Sequence, residues 1–191
     1  QYALSNNSGN VSIKGNTNIT TDAVAFDVYD YTSAGYTVPV VTVETTGIIK
    51  GKVEVSESIP YNLTILGGSF TEDYLDVFCA DGVAYNKNGD YYKAAKANVA
   101  KIGEIEYATL QAAIDAADAG QTVELLRNVT NGYGVKIDKD LTIDFAGFKY
   151  QLKKAVGSTG TESNGFQIFK NNNVTIQNGT LEVNEFFKNY F

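Results

Sequence analysis

"NVTIQNGTL" runs from Asn173 to Leu181. Two earlier stretches echo it, "NLTILGGSF" from Asn62 to Phe70 and "DLTIDFAGF" from Asp140 to Phe148. In each, apolar and polar residues alternate and a Gly-containing turn follows. Alternation with period two marks a strand with one face buried. The apolar positions hold β-branched residues or leucine, which suit a pleated, half-buried surface. This reading points Val174, Ile176 and Leu181 inward and Thr175 and Gln177 outward. Asn178-Gly179 then turns a corner, because both residues tolerate positive φ.

The same triplet recurs along the chain. It appears as Val11-Ser12-Ile13, Val41-Thr42-Val43, Val53-Glu54-Val55 and Val135-Lys136-Ile137, among others. Strands this short and closely spaced predict an all-β solenoid. Its turns would stack in parallel at the ordinary strand separation of about 4.8 Å. One segment departs from the rhythm. "YATLQAAIDAADAGQTVELL" (Tyr107 to Leu126) sets Leu110, Ala113, Ile114 and Ala117 on one stripe, which predicts a short capping α-helix near 109–119. Thr109 is the expected N-cap and Gly120 the residue past the end. So short a helix must dock on a packed neighbour to persist.

The helix divides the chain. Residues 1–93 read as coils ending in a closing hairpin segment, with Asp81-Gly82 and Asn88-Gly89 flanking Val83-Ala84-Tyr85. "KAAKANVAK" (Lys93 to Lys101) reads as a connector. Residues 94–191 read as the helix-capped start of a second unit.

Composition limits the chemistry. The 191 residues are 43% hydrophobic, enough for a real core, and carry a net charge of −7. An acidic surface with Arg127 as its single arginine disfavours nucleic acid and other polyanions. No histidine is present, so imidazole zinc sites and Ser-His or Cys-His nucleophiles are excluded within the chain. The lone Cys79 reads as a small buried hydrophobe. No apolar run reaches the length of a membrane span. The chain opens at Gln1, which suits a processed product, and its Asn, Thr, Gly and Tyr content suits an extracellular or cell-surface location.

"IGEIEYATLQAAIDAADAGQTVELLRNVTNGYGVKIDKDLTIDFAGFKYQL" (Ile102 to Leu152) resembles the N-terminal cap and first coils of pectin-lyase-like right-handed β-helix proteins. More narrowly, it resembles the β-helix repeats of large, adhesin-like bacterial surface proteins. "NLTILGGSFTEDYLDVFCADGVAYNKNGDYY" (Asn62 to Tyr92) resembles the segment that closes such a unit. The resemblance implies a right-handed parallel β-helix. It implies a non-enzymatic module for structural display or adhesion. The alternatives are a fragment of a polysaccharide lyase or hydrolase, and a module that stacks end to end with its own copies.

The resembled lyases use an arginine base, for which only Arg127 is available, and the hydrolases use aspartates on neighbouring coils. "KIDKDLTID" offers Asp138, Asp140 and Asp144. Their plainer role is to cap turns and solvate an outward face, and Asp22, Asp27 and Asp30 read the same way. We therefore expect no catalytic residue, no metal site and no cofactor. The most suggestive surface feature is aromatic. "VYDYTSAGY" (Val28 to Tyr36) sets Tyr29, Tyr31 and Tyr36 in a polar stretch, with Tyr29 and Tyr31 on one strand face. Exposed tyrosines stack on sugar rings while their hydroxyls bond ligand or water, so the expected partner is a glycan or host-surface ligand.

Overall fold

The computed structural model describes residues 1–160 and 162–190. The backbone divides into two units, Gln1–Lys96 and Ala97–Phe191.

The first unit is one seven-stranded sheet. Its strands are β1 (Tyr2–Asn6), β2 (Asn10–Gly15), β3 (Ile19–Val28), β4 (Val40–Val55), β5 (Leu63–Phe70), β6 (Val83–Asn88) and β7 (Tyr91–Lys96). β4 is long enough to pair with β2 along its first half and β3 along its second, both in parallel. Register aligns like with like. Ile13, Val43 and Ile65 form one row, and Leu4, Phe26 and Val53 another. These rows build a core in which Phe26, Val43, Ile65 and Phe70 are fully buried. Cys79 lies in the same core, its thiol directed at the Leu75 carbonyl. At the far edge the chain reverses. β7 pairs antiparallel with β5, and β6 antiparallel with β7 through the two residues Gly89 and Asp90. Gly89 supplies the positive φ that so tight a reversal demands. Tyr85 stacks on Tyr92 at 5.7 Å and donates its hydroxyl to the Glu72 carbonyl at 2.6 Å, and its burial pushes the hydroxyl pKa well up.

The second unit uses three sheets and one α-helix among its described residues. Its elements are β8 (Ala100–Ile102), β9 (Ile105–Tyr107), α1 (Leu110–Ala116), β10 (Thr122–Leu125), β11 (Val129–Tyr133), β12 (Val135–Ile137) and β13 (Leu141–Asp144). They continue as β14 (Lys149–Lys154), β15 (Phe166–Ile168), β16 (Val174–Gln177) and β17 (Thr180–Val183). The order β16-β13-β10-β8-β9 mixes parallel and antiparallel pairs, while β11-β14-β17 and β12-β15 are parallel. Thr109 caps α1 by accepting the Ala112 amide at 3.1 Å. The helix buries Leu110, Ala113 and Ile114. Gln111, on its rim, holds β12 at both ends of one residue. Its amide accepts the Lys136 N–H at 2.8 Å and donates to the Lys136 carbonyl at 3.0 Å. Val174, Ile176 and Leu181 occupy the inward rows, but Ile176 and Leu181 remain exposed on the last strands.

These observations correct the expected fold. A single right-handed parallel β-helix would pair each strand in parallel with its equivalents one turn away, throughout the chain. Here the strands of the described residues fall into four separate sheets, two of which mix parallel with antiparallel pairs, and non-adjacent strands meet across long sequence separations. Alternation specifies that one face of a strand is buried and is silent about the direction of its neighbour. The resemblance to pectin-lyase-like surface modules falls with that topology. So does the display or adhesion role of a β-helix module, since it rested on that architecture. The segment Lys93–Lys101, expected as a connector, is mostly strand. The helix is also shorter than its stripe, because Ala117 already has extended backbone at ψ 140°.

Candidate functional site

The three tyrosines sit together on the β3–β4 loop. Tyr29 and Tyr31 have ring centroids 5.5 Å apart, and Tyr31 meets Tyr36 edge-on at 5.6 Å. Their exposures are 49%, 43% and 54%. No strand parity brings Tyr29 and Tyr31 together, because β3 ends at Val28. A 3₁₀ turn over Thr32–Ala34, with Gly35 left-handed at its end (φ 86°), lies between Tyr31 and Tyr36 and returns the chain so that those two rings meet. Asp30 fixes the turn. Its carboxylate accepts the Thr32 amide at 3.0 Å, the Thr32 hydroxyl at 2.6 Å and the Ser58 hydroxyl at 2.6 Å. The Ser58 bond first, and those from Thr32 next, hold its pKa below the usual carboxylate value. Farther along the loop, the Thr37 hydroxyl lies 2.7 Å from that of Ser8. The tyrosine hydroxyls themselves make no hydrogen bond among the described residues.

Tyr29 also lines a depression of ≈ 260 Å³ over the ends of β3 and β4. Asp27, Glu54 and Glu57 supply its charged lining. Asp27 pairs in register with Glu54 and is only 6% exposed. Its Oδ1 is buried and meets no hydrogen-bond donor among the described residues. Glu54 borders a second depression of ≈ 510 Å³ as well, which holds Lys52, Glu72 and the Lys50–Asp22 ion pair at 2.8 Å. Sequence reading assigned Asp27 to a solvated outer face. The signal it missed is Ala25, which shares Asp27's parity and is fully buried, so that face is covered here.

The other sequence candidates are engaged differently. Asp140 accepts the Asn173 amide at 2.6 Å. Asp144 accepts the Ala146 amide at 2.8 Å, the Gln177 side chain at 2.8 Å and the Asn178 side chain at 3.0 Å. The Ala146 bond, followed by that from Gln177, lowers the Asp144 pKa. These two aspartates tie one turn of the chain to the next. Asp138 is exposed at the end of β12. Arg127 donates to the backbone carbonyls of Asn98 at 3.3 Å and Asn128 at 3.1 Å. Among the described residues no three His, Cys, Asp or Glu gather closely enough to hold a metal ion, and no helix is long and apolar enough to cross a membrane.

No protein-family model, curated protein or solved structure matches this chain.

Proposed function

We propose that the protein is a non-catalytic carbohydrate-binding domain whose recognition surface is the Tyr29–Tyr31–Tyr36 cluster. The observation that carries this reading is the contact of three large aromatic rings that are nonetheless about half exposed. An isolated exposed tyrosine needs no explanation, but a rigid cluster of them offers apolar faces at low entropic cost. Sugar rings present axial C–H patches to such faces and hydroxyls to their rims. The Asp30 clamp supports the reading further, because it orders the loop before any ligand arrives, and a preordered surface loses less on binding. The reading implies an extracellular location, where polysaccharides are met.

The test is titration calorimetry against soluble neutral and charged oligosaccharides, with Tyr31→Ala as the variant. Tyr31 touches both neighbouring rings, so its loss is expected to weaken binding roughly tenfold or more. The same preparations, incubated with each oligosaccharide and examined by chromatography, are expected to leave it intact. Chain cleavage would overturn the non-catalytic part of the proposal. Unchanged affinity in Tyr31→Ala would overturn the site.

A further inference from the structure

Resting on the carbohydrate reading above, we infer that the depression beside Tyr29 takes a sugar bearing a primary ammonium group, with Asp27 and Glu54 as its counter-charges. Three observations converge. The charged lining of this depression is wholly acidic, from Asp27, Glu54 and Glu57. Asp27 is more than nine-tenths buried, yet its Oδ1 lacks a donor among the described residues. A carboxylate held this way gains from any N–H that reaches it, since an unmet buried acceptor is costly. The side chain as a whole makes no hydrogen bond among the described residues, and it lines the depression. Third, Tyr29 lines the same space, and a cation beside an aromatic face is attracted by the ring quadrupole.

The occupant is an organic ammonium rather than a metal ion. A hard cation such as calcium needs six or more oxygens closed around it. The described carboxylates do not gather into such a cluster. An ammonium group needs only two or three acceptors and a π-face, which is what this depression holds. Anionic sugars are disfavoured by the same charges, and an acetamide in place of the amine would bring no charge to offset them.

The experiment compares hexamers of glucosamine, N-acetylglucosamine and galacturonic acid by titration calorimetry at about pH 5.5, where the glucosamine amines are protonated. The glucosamine hexamer is expected to bind roughly tenfold tighter than its acetylated counterpart, with the gap closing in high salt. Asp27→Asn is expected to remove most of that preference. Glu54→Gln, at an exposed position, keeps the test open if the Asp27 variant fails to fold. Equal binding of the two hexamers, or a preference unmoved in both variants, would overturn this inference and leave the carbohydrate reading standing. Preference for the galacturonic acid hexamer would also overturn it. Binding of none of the three would overturn the carbohydrate reading and this inference together.

Discussion

The aspartates of the second unit and the tyrosines of the first were the two clusters that suggested function, and they are built in opposite ways. Asp144 accepts hydrogen bonds from one backbone amide and two side chains of its own unit. Tyr29, Tyr31 and Tyr36 touch one another and leave their hydroxyls to solvent. A polar group already satisfied within the fold has little left to offer a ligand. A group left over by the fold has everything to offer, provided something else holds it still. In the tyrosine loop that holder is Asp30, a carboxylate used as Asp144 is used.

The contrast can be broken most sharply at Tyr150, the buried counterpart of Tyr31. Tyr150 is fully buried, packs edge-on against Phe166 at 5.7 Å and donates to the Tyr133 carbonyl at 2.7 Å. Tyr150→Ala is expected to cost about 3–5 kcal/mol in denaturant unfolding while leaving sugar affinity per folded molecule unchanged. Tyr31→Ala should do the reverse, with stability within about 0.5 kcal/mol of the parent and affinity reduced. Comparable losses of stability in both would erase the distinction. Next in size is Gly179→Ala. A Cβ there would lie 2.4 Å from the Phe148 carbonyl oxygen, and the backbone must shift to relieve it. Thermal unfolding is expected to show a loss of about 1–3 kcal/mol, as the corner that presents Asn178 to Asp144 is displaced.

Smaller effects come from the two carboxylates themselves. Both have folded-state pKa values below 3.8, the ordinary value for aspartate. A depressed carboxylate contributes stability that is present above its unfolded pKa and lost as pH falls through the folded value. Stability is therefore expected to decline below about pH 4, and Asp144→Asn should flatten part of that decline in acid titrations followed by circular dichroism. A parallel acid profile in the variant would argue against Asp144. The smallest effect is expected from Asp30→Asn. It should loosen the tyrosine loop, seen as altered near-ultraviolet dichroism, with the unfolding midpoint almost unmoved. A large midpoint shift would mean that Asp30 supports the unit and not just the loop.

Much of the local structure was legible in residues alone. Alternation located the strands, Thr109 announced the helix cap, and Asn88-Gly89 announced a reversal. What alternation does not encode is the partner. β5 pairs in parallel with β4 and antiparallel with β7 while keeping one alternating pattern, so a parallel solenoid and a mixed sheet write the same triplets. The tyrosines were legible as a group, but not the device that joins them, because a 3₁₀ turn clamped by Asp30 and Ser58 depends on residues 28 apart in sequence. Asp27 was misread because its burial depends on what lies over β3, and the one local sign of that is the small Ala25 two residues earlier.

Gln111 has a consequence for how the molecule keeps to itself. β12 is an edge strand on its α1 side, and Lys136 directs its N–H and carbonyl there. An unoccupied edge of this kind is where a strand from another chain would add itself. The Gln111 amide occupies both groups, so one side chain ends the sheet as a neighbouring strand would. The helix thereby closes this side of β12 to a further strand through one amide.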